Sequence, residues 1–270
     1  MSRHIDASSE FLRREYVDNG KTTTQIADEV GCHRTTIIKR LSRFGIPARR
    51  GGSPSNHIDV SDNLLEILDG SLLGDGSMGT QHRTSAYYTL GQKHRKYIEF
   101  MASYFKSLDV PCGNIYKRYR VNDSGTISNL FSFKTADCVE LLEQLDRWYP
   151  RGIKIVPKDV RLTPLAMRTW FLEDGSFYTK GGCTLGTIRL HTNWFTEEDV
   201  RMLIDRLKIL LNTPRINFRL SKGKYPEIQF GHKDAVQKFF DYIGPFPKEL
   251  YKDYGYKMLD NRDFIEKEAN

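Results

Sequence analysis

Two Asp-Gly pairs carry most of the chemistry in this chain. Asp75-Gly76 closes an apolar stretch from Asn63 to Gly76 (NLLEILDGSLLGDG), and Asp174-Gly175 closes a second from Leu165 to Gly175 (LAMRTWFLEDG). The two aspartates stand 99 residues apart. Each stretch reads as a largely buried helix, so each carboxylate falls at a helix C-terminus, against the negative end of the macrodipole, at a cost of about 0.3–1 kcal/mol. A cost incurred twice at corresponding positions asks for an offset, and a bound cation supplies one. Gly70 and Gly74, four residues apart, let a second helix pack closely, and two such helices in parallel bring both aspartates to one end. A carboxylate pair holding Mg²⁺ (or Mn²⁺), with phosphate oxygens completing the shell, suits phosphodiester chemistry. One Asp-Gly by itself is an ordinary turn or helix cap. Two in register point to function.

The elements that must position these residues repeat. After each Asp-Gly come a Ser, a short polar stretch and a strand-like segment, Ala86–Gln92 (AYYTLGQ) and Ile188–Asn193 (IRLHTN). Each segment ends on an amide, Gln92 lying 17 residues after Asp75 and Asn193 lying 19 after Asp174. Amphipathic helices follow, HRKYIEFMASYFKSL and TEEDVRMLIDRLKILL. Two strands come next in each half, Asn114–Val121 with Ser128–Lys134 and Arg215–Ser221 with Glu227–Gly231, and closing helices span 136–148 and 233–243. The order α-β-β-α-β-β-α thus occurs twice, and a repeat this long is a duplicated domain.

At these residues the chain resembles the LAGLIDADG homing endonucleases in their monomeric, two-motif form. Leu68–Gly76 (LDGSLLGDG) resembles the first motif helix and Met167–Gly175 (MRTWFLEDG) the second. Gln92-Lys93-His94-Arg95-Lys96-Tyr97, Ile155-Val156-Pro157-Lys158, Phe195-Thr196-Glu197-Glu198 and Tyr256-Lys257 match in order and spacing. The resemblance implies an α+β fold of two pseudo-symmetric αββαββα units whose sheets form a saddle on the DNA major groove. It implies that Asp75 and Asp174 bind divalent metal, with Gly74 and Glu173 beside them in the metal shell. Gln92 and Asn193 would orient water and Lys134 would polarise the phosphate; Gly231, His232 and Lys233 all lie near the equivalent position of the second half. It further implies a monomer that cuts both strands of a long duplex target, leaving short 3′ overhangs. Thr169 and Glu173 replace the small residues usual at the helix contact, so a looser contact is expected.

Ahead of this repeat, residues 7–19 read as a helix stopped at Gly20, and Thr22-Thr23-Thr24-Gln25 has the capping-box form at the start of a second. That helix ends at Gly31, and a third runs from Arg34 to Phe44 with Ile37, Ile38, Leu41 and Phe44 at core spacing. Two short helices, a glycine turn and a basic second helix match a helix-turn-helix. His33, Arg34, Thr35 and Thr36 would then approach base edges, and Lys39, Arg40 and Arg43 phosphates. Arg49 and Arg50 form a basic arm suited to a minor groove. The boundaries read as a helix-turn-helix domain over 1–50, a linker over 51–60, and repeat units over 61–156 and 157–270.

On the sheets, base-reading candidates are Arg83, Tyr87, Lys117, Arg118, Tyr119 and Arg120 in the first half, and Arg189, Arg215, Arg219, Lys222 and Lys224 in the second. The charge agrees: 41 Lys and Arg against 34 Asp and Glu give +7, of which residues 1–57 supply +4. At 39% hydrophobic and 12% aromatic residues, the 270-residue chain is no disordered segment. It contains no apolar run long enough for a membrane span and opens without a secretory h-region, so an intracellular protein is expected, in cytoplasm or an organelle matrix. Cys32, Cys112, Cys138 and Cys183 lack zinc-site spacing and are expected to be reduced.

A site-specific endonuclease is the reading these features favour. The alternative is a non-cleaving binder on the same scaffold, an intron-splicing maturase with intron RNA as a further partner or a helix-turn-helix regulator. An intein endonuclease is rejected, since the chain begins MSRH and ends EKEAN. No G-x-S-x-G or Cys/His signature supports nucleophilic catalysis.

Overall fold

A computed structural model of the chain describes residues 8–47, 56–81, 84–121, 127–179 and 186–259, and its contacts divide the chain at Pro54. The N-terminal unit holds α1 (Ser9–Leu12), which continues as a π-helical turn over Arg13–Asp18, then α2 (Thr23–Val30) and α3 (Arg34–Arg43). The capping box forms as its sequence predicts: the Gln25 backbone N–H donates to Thr22 Oγ1 at 3.2 Å, and Gln25 Oε1 accepts the Thr22 N–H at 2.9 Å. Gly31, at φ +70°, takes the left-handed turn that ends α2. Leu12, Tyr16, Ile26, Ile37 and Leu41 make the core of this unit. Ile38, expected in that core, is 41% exposed. One residue past Ile37 the helix has turned by about 100°, which carries Ile38 to the outer face.

The second unit holds α4 (Asp62–Leu73), β1 (Ser77–Gly79), β2 (Tyr87–Gln92), α5 (Arg95–Ser107), β3 (Tyr116–Val121), β4 (Ile127–Lys134) and α6 (Leu141–Trp148), followed by α7 (Pro164–Asp174), β5 (Gly175–Thr179), β6 (Gly186–His191), α8 (Glu197–Leu210), β7 (Asn217–Ser221), β8 (Tyr225–Phe230), α9 (Lys233–Ile243) and α10 (Tyr251–Tyr254). The predicted order α-β-β-α-β-β-α is present twice. Both sheets are antiparallel, in the orders β1-β2-β4-β3 and β5-β6-β8-β7. Within the stretch read as a linker over 51–60, Asn56 bridges Cys138 and the Ile58 N–H donates to Glu140 Oε2 at 3.1 Å.

Strand alternation buries one face of each sheet, with Tyr88, Leu90 and Phe133 inside in the first half and Ile188, Leu190, Ile228 and Phe230 in the second. α4 and α7 pack against each other in the middle of this core. A methyl built on Gly70 would fall onto the Ala166 backbone, and one on Gly74 would lie 2.7 Å from Glu173 Cβ. The contact is therefore tight, against the expectation raised by Thr169 and Glu173. Glu173 fits because Gly74 leaves it room, and Thr169 turns its hydroxyl onto the Leu165 carbonyl of its own helix at 2.8 Å.

α4 is further anchored by Asp69, which is fully buried. Its carboxylate accepts from Arg147 Nη1 at 2.5 Å and Nη2 at 3.1 Å, from Trp148 Nε1 at 3.0 Å and from the Arg161 backbone N–H at 2.8 Å. With all of its oxygens engaged, this buried charge ties α4 to α6 and to the segment leading into α7.

Candidate active site

Asp75 lies just beyond the last turn of α4 and Asp174 is the last residue of α7. Burial pushes the Asp75 carboxyl above the usual carboxylate range. It pushes Asp174 up to about 7, with the Asp75 charge acting in the same direction. The two motif carboxylates thus repel each other across the ends of the paired helices. Lys257 and Lys154 oppose this: their ammonium groups favour the ionised form of both aspartates.

Lys154 Nζ donates to the Gly76 carbonyl at 3.0 Å, and Lys257 Nζ to the Phe171 and Leu172 carbonyls at 3.1 and 2.7 Å. Each lysine caps the region where its own half's motif helix ends. Burial lowers both to about 8, with the acidic groups pulling the other way. Lys154 precedes Lys257 by 103 residues, close to the interval between the aspartates, so the pair obeys the internal repeat.

The donor set fits a hard divalent cation. Asp75 and Asp174, whose charges repel each other, would be the residues to hold it, and among the described residues no group of three or more His, Cys, Asp or Glu forms a metal-binding cluster. Two carboxylates would leave most of a metal's coordination shell to water and phosphate, which suits Mg²⁺.

Gln92, buried at the end of β2, donates from Nε2 to Asp75 Oδ2 at 2.5 Å. A cleft of about 410 Å³ opens beside them, lined by Lys93, His94, Tyr254 and Lys257 among others. Asn193 has no matching place. Ser77 pairs with Thr89, and Ser176 with Arg189. Counting three residues on from each partner puts Thr192, not Asn193, at the position of Gln92. Thr192 is buried with its hydroxyl on the Pro226 carbonyl at 2.7 Å, whereas Asn193 stands exposed in the turn that follows.

Lys134 is placed away from Gln92. It pairs with Thr89, three rungs from Gln92, with its Nζ 3.3 Å from Asp137 and over the Tyr87 ring. Its register mate is Gln229, opposite Arg189, so Gly231, His232 and Lys233 all lie past that position. The cations that act on the aspartates are Lys154 and Lys257. The sequence signal for them was the 103-residue interval, together with their places beside the Ile155-Val156-Pro157-Lys158 and Tyr256-Lys257 matches.

The Glu173 carboxylate is turned into the helix contact, accepting from Ser71 Oγ at 2.8 and 2.9 Å, Tyr97 OH at 2.9 Å and the Asp75 backbone N–H at 2.9 Å. Burial, then the Asp75 charge, push it well above the ordinary carboxylate range. Both of its oxygens are thus engaged by donors of the first half. Gly74, between it and Asp75, has only its carbonyl to offer.

Among the sheet candidates, Arg118 is on the open face, its Nε on Ser132 Oγ at 3.1 Å. Lys117 and Tyr119, at alternate positions of β3, lie on the other face. Arg189 and Arg219 share the open face of the second sheet, donating to Tyr178 OH at 2.6 Å and Gln229 Oε1 at 2.9 Å. Arg215 is exposed just before β7, and Lys222 and Lys224 are exposed in the β7–β8 turn. Arg49, Arg50, Arg83 and the side chain of Arg120 lie outside the described residues, as does Cys183. In the N-terminal unit Arg34, Lys39 and Arg43 are exposed and Thr36 and Arg40 half-buried. His33 caps α3, its Nδ1 2.9 Å from Thr35 Oγ1, so these two side chains are engaged with each other.

Residues 65–239 match the LAGLIDADG DNA endonuclease family, and the chain belongs to it. It is 27% identical to an uncharacterised protein of Methanocaldococcus jannaschii, over 94% of this chain and 100% of the relative. It is 31% identical to the cytochrome b mRNA maturase bI2 of Debaryomyces hansenii, over 67% of this chain and 66% of the maturase. The fold is that of the homing endonuclease I-WcaI bound to its DNA recognition sequence, with a TM-score of 0.64 and 22% identity over 75% of this chain and 95% of that one. No described helix is long and apolar enough to cross a membrane.

Proposed function

We propose that this protein is a site-specific DNA endonuclease that hydrolyses one phosphodiester on each strand of a long duplex target, leaving short 3′ overhangs. The observation that carries the reading is the quartet of Asp75, Asp174, Lys154 and Lys257 at the paired ends of α4 and α7. A divalent metal, held by the two aspartates, would supply a Lewis acid for the phosphate and a water of lowered pKa. Asp75 and Asp174 give that metal two hard oxygens and leave its remaining positions to substrate. Gln92 holds Asp75 in one orientation. Lys154 and Lys257 offer N–H donors and positive charge where the pentavalent phosphate gains negative charge. The open sheet faces, with Arg118, Arg189 and Arg219, would lie along the major groove, and α2 and α3 would act as a helix-turn-helix with phosphate contacts from Lys39, Arg40 and Arg43.

The test is cleavage of a randomised duplex library by purified protein in Mg²⁺ against an EDTA control, with the cut ends sequenced. A discrete site cut in Mg²⁺ alone supports the reading, and so does loss of cutting with binding retained in Asp75→Asn or Asp174→Asn. The second reading, assistance to intron splicing, is favoured by the similarity to the bI2 maturase. Sites bound but left uncut, together with saturable binding of intron RNA, would move the assignment there.

A further inference from the structure

The two halves of the site repeat in backbone but differ around their carboxylates. Asp75 carries the Gln92 amide, while Thr192, at the matching rung, spends its hydroxyl on a main-chain carbonyl. Among the described residues, no side chain donates to the Asp174 carboxylate.

The Gln92 amide is nearly symmetric in shape, and turned end for end it would present its carbonyl to Asp75. Tyr254, the last residue of α10, prevents this by donating its hydroxyl to Gln92 Oε1 at 2.9 Å. With the carbonyl occupied, only the NH₂ end faces Asp75. The Tyr254 ring is fixed in turn: it is 1% exposed, with the rings of His94 and Tyr97 centred 5.1 and 5.3 Å away. Burial also raises the Tyr254 hydroxyl far above the usual phenol range, which keeps its proton available for this bond.

Three residues beyond Tyr254 comes Lys257, and three residues before Lys154 stands Arg151, which is exposed. The closing segment of the second half therefore carries a tyrosine into the Asp75 side, and the closing segment of the first half carries nothing equivalent to the Asp174 side.

We infer that Tyr254 is a positioning residue that locks the Gln92 amide onto Asp75, making the two halves of the site unequal and the two DNA strands unequal in cutting rate. The strand inequality rests on the endonuclease reading; the lock itself does not. It is a contact from the second half to the catalytic carboxylate of the first, so the Asp75 side is preorganised while the Asp174 side must be ordered by metal and DNA.

Two measurements test it. In ¹⁵N-labelled, metal-free protein the Gln92 side-chain NH₂ should give two well-separated proton resonances that exchange slowly. Tyr254→Phe, which removes one oxygen and keeps the ring, should collapse that separation and lose the protection while the backbone spectrum stays dispersed. Unchanged amide resonances in Tyr254→Phe would overturn the lock. On a duplex of the selected target labelled separately on each strand, the wild type should cut the strands at different rates. Tyr254→Phe should slow one strand by about 10–100-fold, the usual effect of losing a group that orients a metal ligand, and the other far less. The same substitution should add nothing in a Gln92→Ala background. Equal slowing of both strands, as a general loss of structure would give, or additive effects in the double variant, would overturn the positioning role. A wild type that cuts neither strand would overturn the endonuclease reading and the strand inequality together, leaving the lock to be judged by the amide resonances.

Discussion

The Glu173 carboxylate on the second motif helix accepts the backbone N–H of Asp75, just past the end of the first, at 2.9 Å. This bond satisfies one of the amides near the end of α4 and fixes where the Asp75 backbone stands relative to α7. The same carboxylate takes the hydroxyls of Ser71 and Tyr97, so one side chain from the second half organises three donors of the first. A residue of the wrong size for a close helix contact becomes its central polar fastening, in the gap that Gly74 leaves.

Glu173→Ala is expected to destabilise the protein strongly, because each buried donor left without an acceptor costs roughly 1–3 kcal/mol. Glu173→Gln keeps the volume and one acceptor oxygen and should cost much less. Urea unfolding of both variants checks this. Equal stability of the alanine and glutamine variants would show that the three bonds contribute nothing.

Gly70→Ala should cost about 1–3 kcal/mol, since the added methyl meets the Ala166 backbone on the facing helix and neither main chain has room to yield. The thermal midpoint should fall accordingly. An unchanged midpoint would mean that α4 and α7 are freer to separate than their packing indicates.

The acidic centre sets a pH dependence of known sign. The Asp174 carboxyl stands at about 7 when folded against an ordinary 3.8, so between those values the folded protein holds a proton that the unfolded chain has lost. Metal-free stability should therefore fall as pH rises from about 4 to about 7, by up to about 1.4 kcal/mol for every pH unit spanned. Asp174→Asn should flatten that decline. Mg²⁺ must displace the proton to bind, so it should raise the thermal midpoint more at pH 7.5 than at pH 5. Denaturation series at several pH values, with and without Mg²⁺, measure both effects. A stability that rises through this window in metal-free protein would contradict the burial of Asp174.

Much of this architecture is legible in the sequence because it rests on local signals. The 3.6- and 2-residue periods mark the helices and strands, the capping box marks the start of α2, and the doubled Asp-Gly marks the centre. What escaped depends on register and on distant partners. Asn193 looked equivalent to Gln92 because both close a strand on an amide. The turn before α8 is longer than the one before α5, however, and only the ladder shows that Thr192 takes the Gln92 position. Lys134 closes its strand as a cation, and only the ladder shows that it stands three rungs from Gln92. Lys154 lies outside any helix or strand, Lys257 in a single 3-10 turn and Tyr254 at the end of the four-residue α10, all too short to show a period. Only the 103-residue interval marks the lysines, and nothing local marks Tyr254.

The N-terminal unit offers a test that leaves Asp75, Asp174 and their lysines untouched. Lys39 and Arg43 are exposed on α3, four residues apart and so on one side of the helix, while Ile37 and Leu41 hold the opposite side in the core. If that side follows a DNA backbone, each charge displaces counterions, and its loss lowers affinity and the steepness of the salt dependence together. Lys39→Ala with Arg43→Ala should reduce the slope of log K against log salt by about 2, roughly 0.9 per phosphate contact, for any duplex sequence. Ser42→Ala, exposed on the same helix without a charge, should leave the slope where it was. An unchanged slope in the double variant would remove α3 from the DNA interface and leave binding to the two sheets.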